Sequence, residues 1–218
     1  ETIAKLVARR LGQMRTNIEY TKESHRLLAL KGITIDAAGN QIDLFTTFGV
    51  TQDTIDFALD VVDTNIRLKI LALLESIEDS LGGLPFSGVR VLCGKTFWSS
   101  LIEHKMVKES YLATAAANTL RGDPRMEFEF GGVIFERYRG TSAVKIEDND
   151  AYAIPEGVMN LFIARNAPAD YVETVGTLGQ PMYAKQWEME AGRGIKMEAQ
   201  ANPLHLCTRP KAVKKLTV

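Results

Sequence analysis

Apolar positions in the first 31 residues recur in alternating steps of three and four. They run Ala4, Val7, Leu11, Met14, Ile18 and Leu28, with Thr21 and His25 filling the two intervening steps. Ile3 and Leu6 widen this stripe, and the segment contains no Pro and only one Gly, Gly12. The period is that of a single long amphipathic helix over 1–31. At the rise of an α-helix it reaches about 45 Å, longer than a small domain is wide. Gly32 ends it, as a glycine just past the last helical turn does.

Beyond Gly32 the pattern changes. Ile33–Ile35 and Gln41–Phe45 predict two strands joined across Asp36–Asn40, whose Asp, Gly and Asn are turn formers. Ile55, Phe57 and Leu59 alternate with polar or small residues as a third strand. Asp63 and Asn65 offer caps for a second helix on which Ile66, Ile70, Leu73, Leu74, Ile77 and Leu81 recur, closed by Gly82-Gly83. A short buried strand follows at Val89–Cys93. Helices are predicted over about Thr96–Met106 and Lys108–Leu120, and a hairpin of Met126–Phe130 with Val133–Tyr138 turns at Gly131-Gly132. Val158–Ile163 is a further strand, and Tyr183–Met189 pairs with Ile195–Ala199 across Gly192-Arg193-Gly194. The order is mixed and lacks a regular strand–helix repeat, so the class is α+β.

Composition alters this picture little. The 218 residues are 45% hydrophobic and 24% charged, an ordinary globular balance. A net charge of −1 argues against a dedicated nucleic-acid binder, although residues 1–31 hold seven basic and three acidic side chains, a local +4. No apolar run approaches membrane-spanning length. Cys93 and Cys207 are too few for a disulfide scaffold and point to a reducing compartment. Because Glu1 is not an initiator residue, the chain is read as a fragment or processed product.

Candidate chemistry is sparse. Cys93-Gly94-Lys95-Thr96 resembles the end of a phosphate loop, but the first glycine of that motif would fall on Val89 inside a strand. A nucleotide-binding enzyme using Gly94, Lys95 and Thr96 is therefore a minor alternative to a plain strand-to-helix turn. His25 lies on the apolar stripe of the first helix and His104 follows Trp98 and Leu101, so both read as packed structural residues. His205 and Cys207 share one face of a strand, as two metal ligands would, but nothing in the sequence completes the set. Cys93 has apolar neighbours and reads as an inert buried thiol. Glu147-Asp148-Asn149-Asp150 lacks the residues of a calcium loop and reads as a solvated turn. Glu127 and Glu129 are the exposed face of a strand. No catalytic, cofactor-binding or metal-binding residue is assigned.

The richest stretches in shape-fixing Gly, Pro and Asn are Ala167–Lys185 and Gln200–Pro210, and they carry little reactive chemistry. They complete a series that runs almost end to end: Gly32 before the Asp36–Asn40 turn, Asp43-Leu44-Phe45, Phe48-Gly49-Val50, Leu92-Cys93-Gly94 with Phe97 and His104, Phe130–Phe135 with Tyr138-Arg139-Gly140, and Ala153–Gly157. In order and spacing the chain resembles the major capsid proteins of tailed bacteriophages, specifically the lambda-like major head protein E family.

That resemblance implies the tailed-phage capsid fold, with residues 1–31 as spine helix, 1–82 and 181–218 as peripheral lobe and 83–180 as axial lobe. It implies a homo-oligomer of pentamers and hexamers closing an icosahedral shell around double-stranded DNA without specific binding. Decoration, scaffolding and portal proteins are implied partners. No cofactor or membrane is implied, and the location is the virion, after synthesis in the host cytoplasm. The family's N-terminal arm and extended loop have no counterpart in this sequence, so the chain alone is expected to remain a monomer or small oligomer. A non-viral nanocompartment of the same fold is the other shell-forming alternative.

Overall fold

Helix α1 spans Ile3–Leu30 in the computed structural model, which describes residues 2–112, 127–141 and 144–218. Its end follows the expected chemistry: Gly32 adopts φ +68°, and the amides of Lys31 and Gly32 donate to Leu28 and Ala29 carbonyls. The hairpin β1 (Ile33–Ile35) and β2 (Gln41–Asp43) pairs antiparallel as predicted. The second strand stops earlier than its apolar run suggests. Asp43 caps a short helix α2 (Leu44–Phe48), accepting the Thr46 amide at 3.0 Å, and Gly49 closes that helix at φ +64°. Leu44 and Phe45 are therefore helical, because a side-chain cap outweighed strand alternation.

Strand β3 (Thr54–Asp56) is shorter than predicted: Ala58 turns the chain at φ +47° while Phe57 and Leu59 are buried beyond the strand. Helix α3 (Ile66–Leu81) starts on Asn65, whose side chain accepts the Leu68 amide, and ends at Gly82. Strand β4 (Gly88–Cys93) leads into α4 (Lys95–Glu103) and α5 (Lys105–Leu112). The helix break falls at His104, whose extended backbone separates them, and not at Met106–Lys108. The predicted continuation over 113–120 lies outside the described residues, as does Met126. Strands β5 (Phe128–Phe130) and β6 (Val133–Arg137) turn tightly at Gly131 and Gly132, both left-handed.

Strand β7 (Asp150–Glu156) and the final strand β12 (Lys214–Thr217) arise where the sequence pattern predicts no element. They join a six-stranded mixed sheet of order β3-β12-β7-β4-β6-β5. Pro155 is tolerated in β7 because β12 has already run out beside it, leaving no partner for the missing amide there. One face of this sheet carries Val89, Val91, Cys93, Val133, Phe135 and Leu216, all buried, against Ile66, Ile70, Leu73 and Ile77 of α3. Phe57 and Phe97 meet with ring centroids 5.9 Å apart, and Trp98 and Phe128 at 5.2 Å. Burying so many large side chains supplies most of the stabilisation, at roughly 1.5–3 kcal/mol each.

Around α1 a second group forms. Strand β8 (Phe162–Asn166) pairs with β11 (Pro203–Cys207), and β9 (Tyr183–Glu188) pairs with β10 (Ile195–Gln200) as expected. Strand β8 sits four residues later than its predicted start because Asn160, at φ +55°, places a turn after Val158. The carboxyl half of α1 packs on β11 and β1 and buries Leu27, Ala29 and Leu30, whereas its amino half is largely exposed.

Candidate functional site

The phosphate-loop-like segment is closed by the chain itself. The Gly94 amide donates to the Asp150 carbonyl at 2.9 Å, and the Thr96 and Phe97 amides donate to the Asp148 carbonyl at 2.8 and 2.9 Å. These are the groups a phosphate would need at the start of α4. A Cβ on Gly94 would run into the carbonyl oxygen of Glu147, so glycine serves close backbone packing here. The acidic turn 147–150, read as solvated, is thus a junction. Its Glu147 carboxylate also accepts Lys31 Nζ at 2.9 Å, which ties the end of α1 to the start of α4 and holds that carboxyl below its usual range. Lys95 is exposed.

The histidines and cysteines do not converge. His104 is buried with Nε2 at 3.2 Å from the Val61 carbonyl. His205 and Cys207 do share a face of β11, but among the described residues no three His, Cys, Asp or Glu side chains gather as metal ligands. His25 Nδ1 and His205 Nε2 are buried without a hydrogen-bond partner in the described structure. Burial lowers the pKa of both, and Arg26 further lowers that of His205. Cys93 has no exposure, and burial pushes its thiol far up; the same cause raises Cys207 to about 11. Neither thiol is poised as a nucleophile.

Glu127 joins Glu136 and Glu156 around one guanidinium. Arg90 lies 2.6, 2.9 and 2.7 Å from them on the face of the sheet opposite α3, and these bonds raise its pKa further. This hub staples four segments of the sheet.

The stretch 167–181 has a different character. Its backbone is fastened at several points: Ala167 donates to the Asn202 carbonyl at 2.9 Å, Asn202 Nδ2 to the Pro168 carbonyl at 2.7 Å, and the Asp170 amide to Gln200 Oε1 at 3.1 Å. The Gln180 amide donates to the Tyr183 hydroxyl at 2.8 Å, and Lys185 bridges to Glu173 at 2.6 Å while lying over the Tyr171 ring. A Cβ on Gly179 would strike the backbone of Asn166. From this fastened loop Val172, Val175 and Leu178 project with 89%, 79% and 88% exposure. Anchored backbone under exposed apolar side chains is the anatomy of a contact surface. The three-residue spacing of these side chains is visible in the sequence, but their exposure is not.

A sequence model of the phage major capsid protein E family matches residues 1–218. The chain belongs to this family. Capsid proteins of this kind have a structural rather than a catalytic role. The chain is 29% identical to the major capsid protein of Salmonella phage Felix O1, over 96% of its own length and 67% of that protein. It is 28% identical to the major capsid protein of Pseudomonas phage KPP10, over 99% of its length and 68% of the relative. A crystal structure described, provisionally, as the capsid protein of a prophage in E. coli CFT073 superposes with a TM-score of 0.60. It shares 14% identity and covers 99% of this chain and 66% of that one. That likeness shows the α+β capsid fold. The chain spans about two thirds of the length of these proteins.

Proposed function

We propose that the chain is the structural subunit of an icosahedral phage or prophage head, self-associating into pentamers and hexamers that enclose double-stranded DNA. The observation that carries this reading is the family match over the whole chain. The closed backbone at the start of α4 and the fastened, apolar-tipped loop 167–181 support it, since they suit packing and contact. The near-neutral net charge suits a container that holds DNA without binding it specifically.

Two lobes belong to the same proposal. The peripheral lobe is built on α1 with β1–β2, β8–β11 and β9–β10, and the axial lobe on the six-stranded sheet with α3 and α4. The weaving of β3 and β12 into that sheet supports moving the expected boundaries, so that 53–157 and 210–218 go to the axial lobe. Decoration, scaffolding and portal proteins are proposed partners, and synthesis in the host cytoplasm is proposed to precede assembly into the virion.

Electron microscopy of the full-length protein expressed in bacteria tests the reading. Closed shells of uniform diameter are expected. Soluble monomer at every concentration and salt condition, with or without co-expressed head genes, would contradict it.

A further inference from the structure

Two exposed surfaces of this chain complement each other in both apolarity and charge. The first is the loop 167–181. Val172, Val175 and Leu178 stand 79–89% exposed on a backbone held by Gln200, Asn202 and Tyr183. Its charged side chains are Asp170 and Glu173, and Lys185 at its base pairs with Glu173 at 2.6 Å, so that Asp170 carries the net negative charge of the loop. The second is the amino half of α1. Ile3 and Leu6 are exposed at 70% and 38%. With Arg10 and Gln13 they recur at helical steps on one exposed face. Residues 2–18 hold Lys5, Arg9, Arg10 and Arg15 and no acidic residue. An apolar knob with a net negative charge at Asp170 and a basic apolar helix face therefore occur on one chain.

We infer that the 167–181 loop of one copy docks on the Ile3–Arg10 face of α1 of a neighbouring copy. This contact rests on the self-assembly proposed above and names the surfaces that carry part of it. The two patches differ, so the contact is heterologous and propagates from copy to copy, as a ring of five or six requires. Fastening the loop backbone in the free chain lowers the ordering entropy lost on docking. Opposite charge around the apolar centre sets register and disfavours like-on-like pairing of two loops or two helices.

Engineered cysteines in the full-length protein, carrying Cys207→Ser to remove the half-buried thiol, test this inference. One preparation carries Val175→Cys and another Leu6→Cys. Both positions are exposed, and thermal melts confirm unchanged folding. Mixed, co-assembled and mildly oxidised, the two are expected to yield disulfide-linked dimers at least tenfold above either alone. A single chain bearing both cysteines is expected to yield a ladder of higher multimers. In a second arm Arg10→Glu lowers the assembled fraction at least tenfold, and adding Asp170→Lys recovers most of it. Shells that form normally without the Val175–Leu6 link overturn the inference and leave the capsid reading intact. So does preferential linkage of Val175→Cys to Leu68→Cys, which sits on a separate exposed apolar patch of α3. Failure of the unchanged full-length protein to form any multimer overturns both.

Discussion

Lys214 Nζ lies 2.6 Å from Asp53 Oδ2, and the lysine side chain has no solvent exposure while the aspartate is about half exposed. Ser80 Oγ accepts a second hydrogen bond from the same ammonium at 2.8 Å. The pair joins the last strand to the residue just before β3 and to α3. Alongside it the Lys215 amide donates to the Asp53 carbonyl at 3.0 Å, and Gln52 Nε2 donates to the carbonyls of Leu30 and Val213. The segment 52–53 thus clamps α1, β12 and α3 together, with a buried charge at its centre.

A buried ammonium that loses its counter-charge is worse off than an apolar side chain in the same space. Asp53→Ala is therefore expected to lower unfolding free energy by about 1.5–3 kcal/mol, the range for hydrogen bonds to charged groups. Lys214→Met, which keeps the volume and removes the charge, is expected to cost less. Urea denaturation of the two variants decides, and the reverse order would show that the charge itself contributes net stability.

Gly94→Ala and Lys95→Ala separate structural from ligand-binding roles at the start of α4. The added methyl meets the Glu147 carbonyl, and overpacking of this kind costs about 1–3 kcal/mol. Lys95 is exposed, and its removal is expected to change stability by no more than about 0.5 kcal/mol. A phosphate loop would instead require Lys95. Measured affinity for a fluorescent ATP analogue, abolished in Lys95→Ala, would revive the nucleotide reading.

Acid is expected to loosen the contact between α1 and β11 before it protonates the surface carboxylates. His25 and His205 have folded pKa values below 6.5, chiefly because burial disfavours their charged forms. Their neutral forms thus favour the folded state above pH 6.5, and that contribution is lost as pH falls through the folded values. Lys22, Glu23 and Arg26 of α1 add charge around His205, and of these only Glu23 opposes the shift. The carboxylates held low by their partners, Glu147 by Lys31 first and Glu173 by Lys185 first, lose their contribution only below about their ordinary 4.5. The urea midpoint should fall between pH 7.5 and 5.5, and a His25→Gln, His205→Gln variant should show a smaller fall. An equal fall in the double variant would place the effect elsewhere.

Several elements were legible because their determinants are local. The α1 and α3 stripes, Asn65 as cap, the left-handed glycines 32 and 82, and the Gly131-Gly132 hairpin all lie within a few residues of what they control. Where two local signals competed, as at Asp43–Phe45, the side-chain cap prevailed over alternation. Strands β7 and β12 were not legible. Lys214–Thr217 is short and carries two lysines, so it resembles a solvated tail until Asp53, 161 residues away, supplies a partner for one of them.

By itself, the sequence determined the mixed helix and strand content, the long amphipathic α1, and the family, through the order and spacing of its Gly-, Pro- and aromatic-rich segments. Tertiary structure alone decided the strand order β3-β12-β7-β4-β6-β5, the burial of Lys214, the closing of α4 by the 147–150 turn, and the exposure of Val172, Val175 and Leu178. The division has a physical cause. Periodicity, caps and turns are set by neighbours along the chain, whereas strand pairing, a buried charge and an exposed apolar tip depend on which distant segment arrives to cover them.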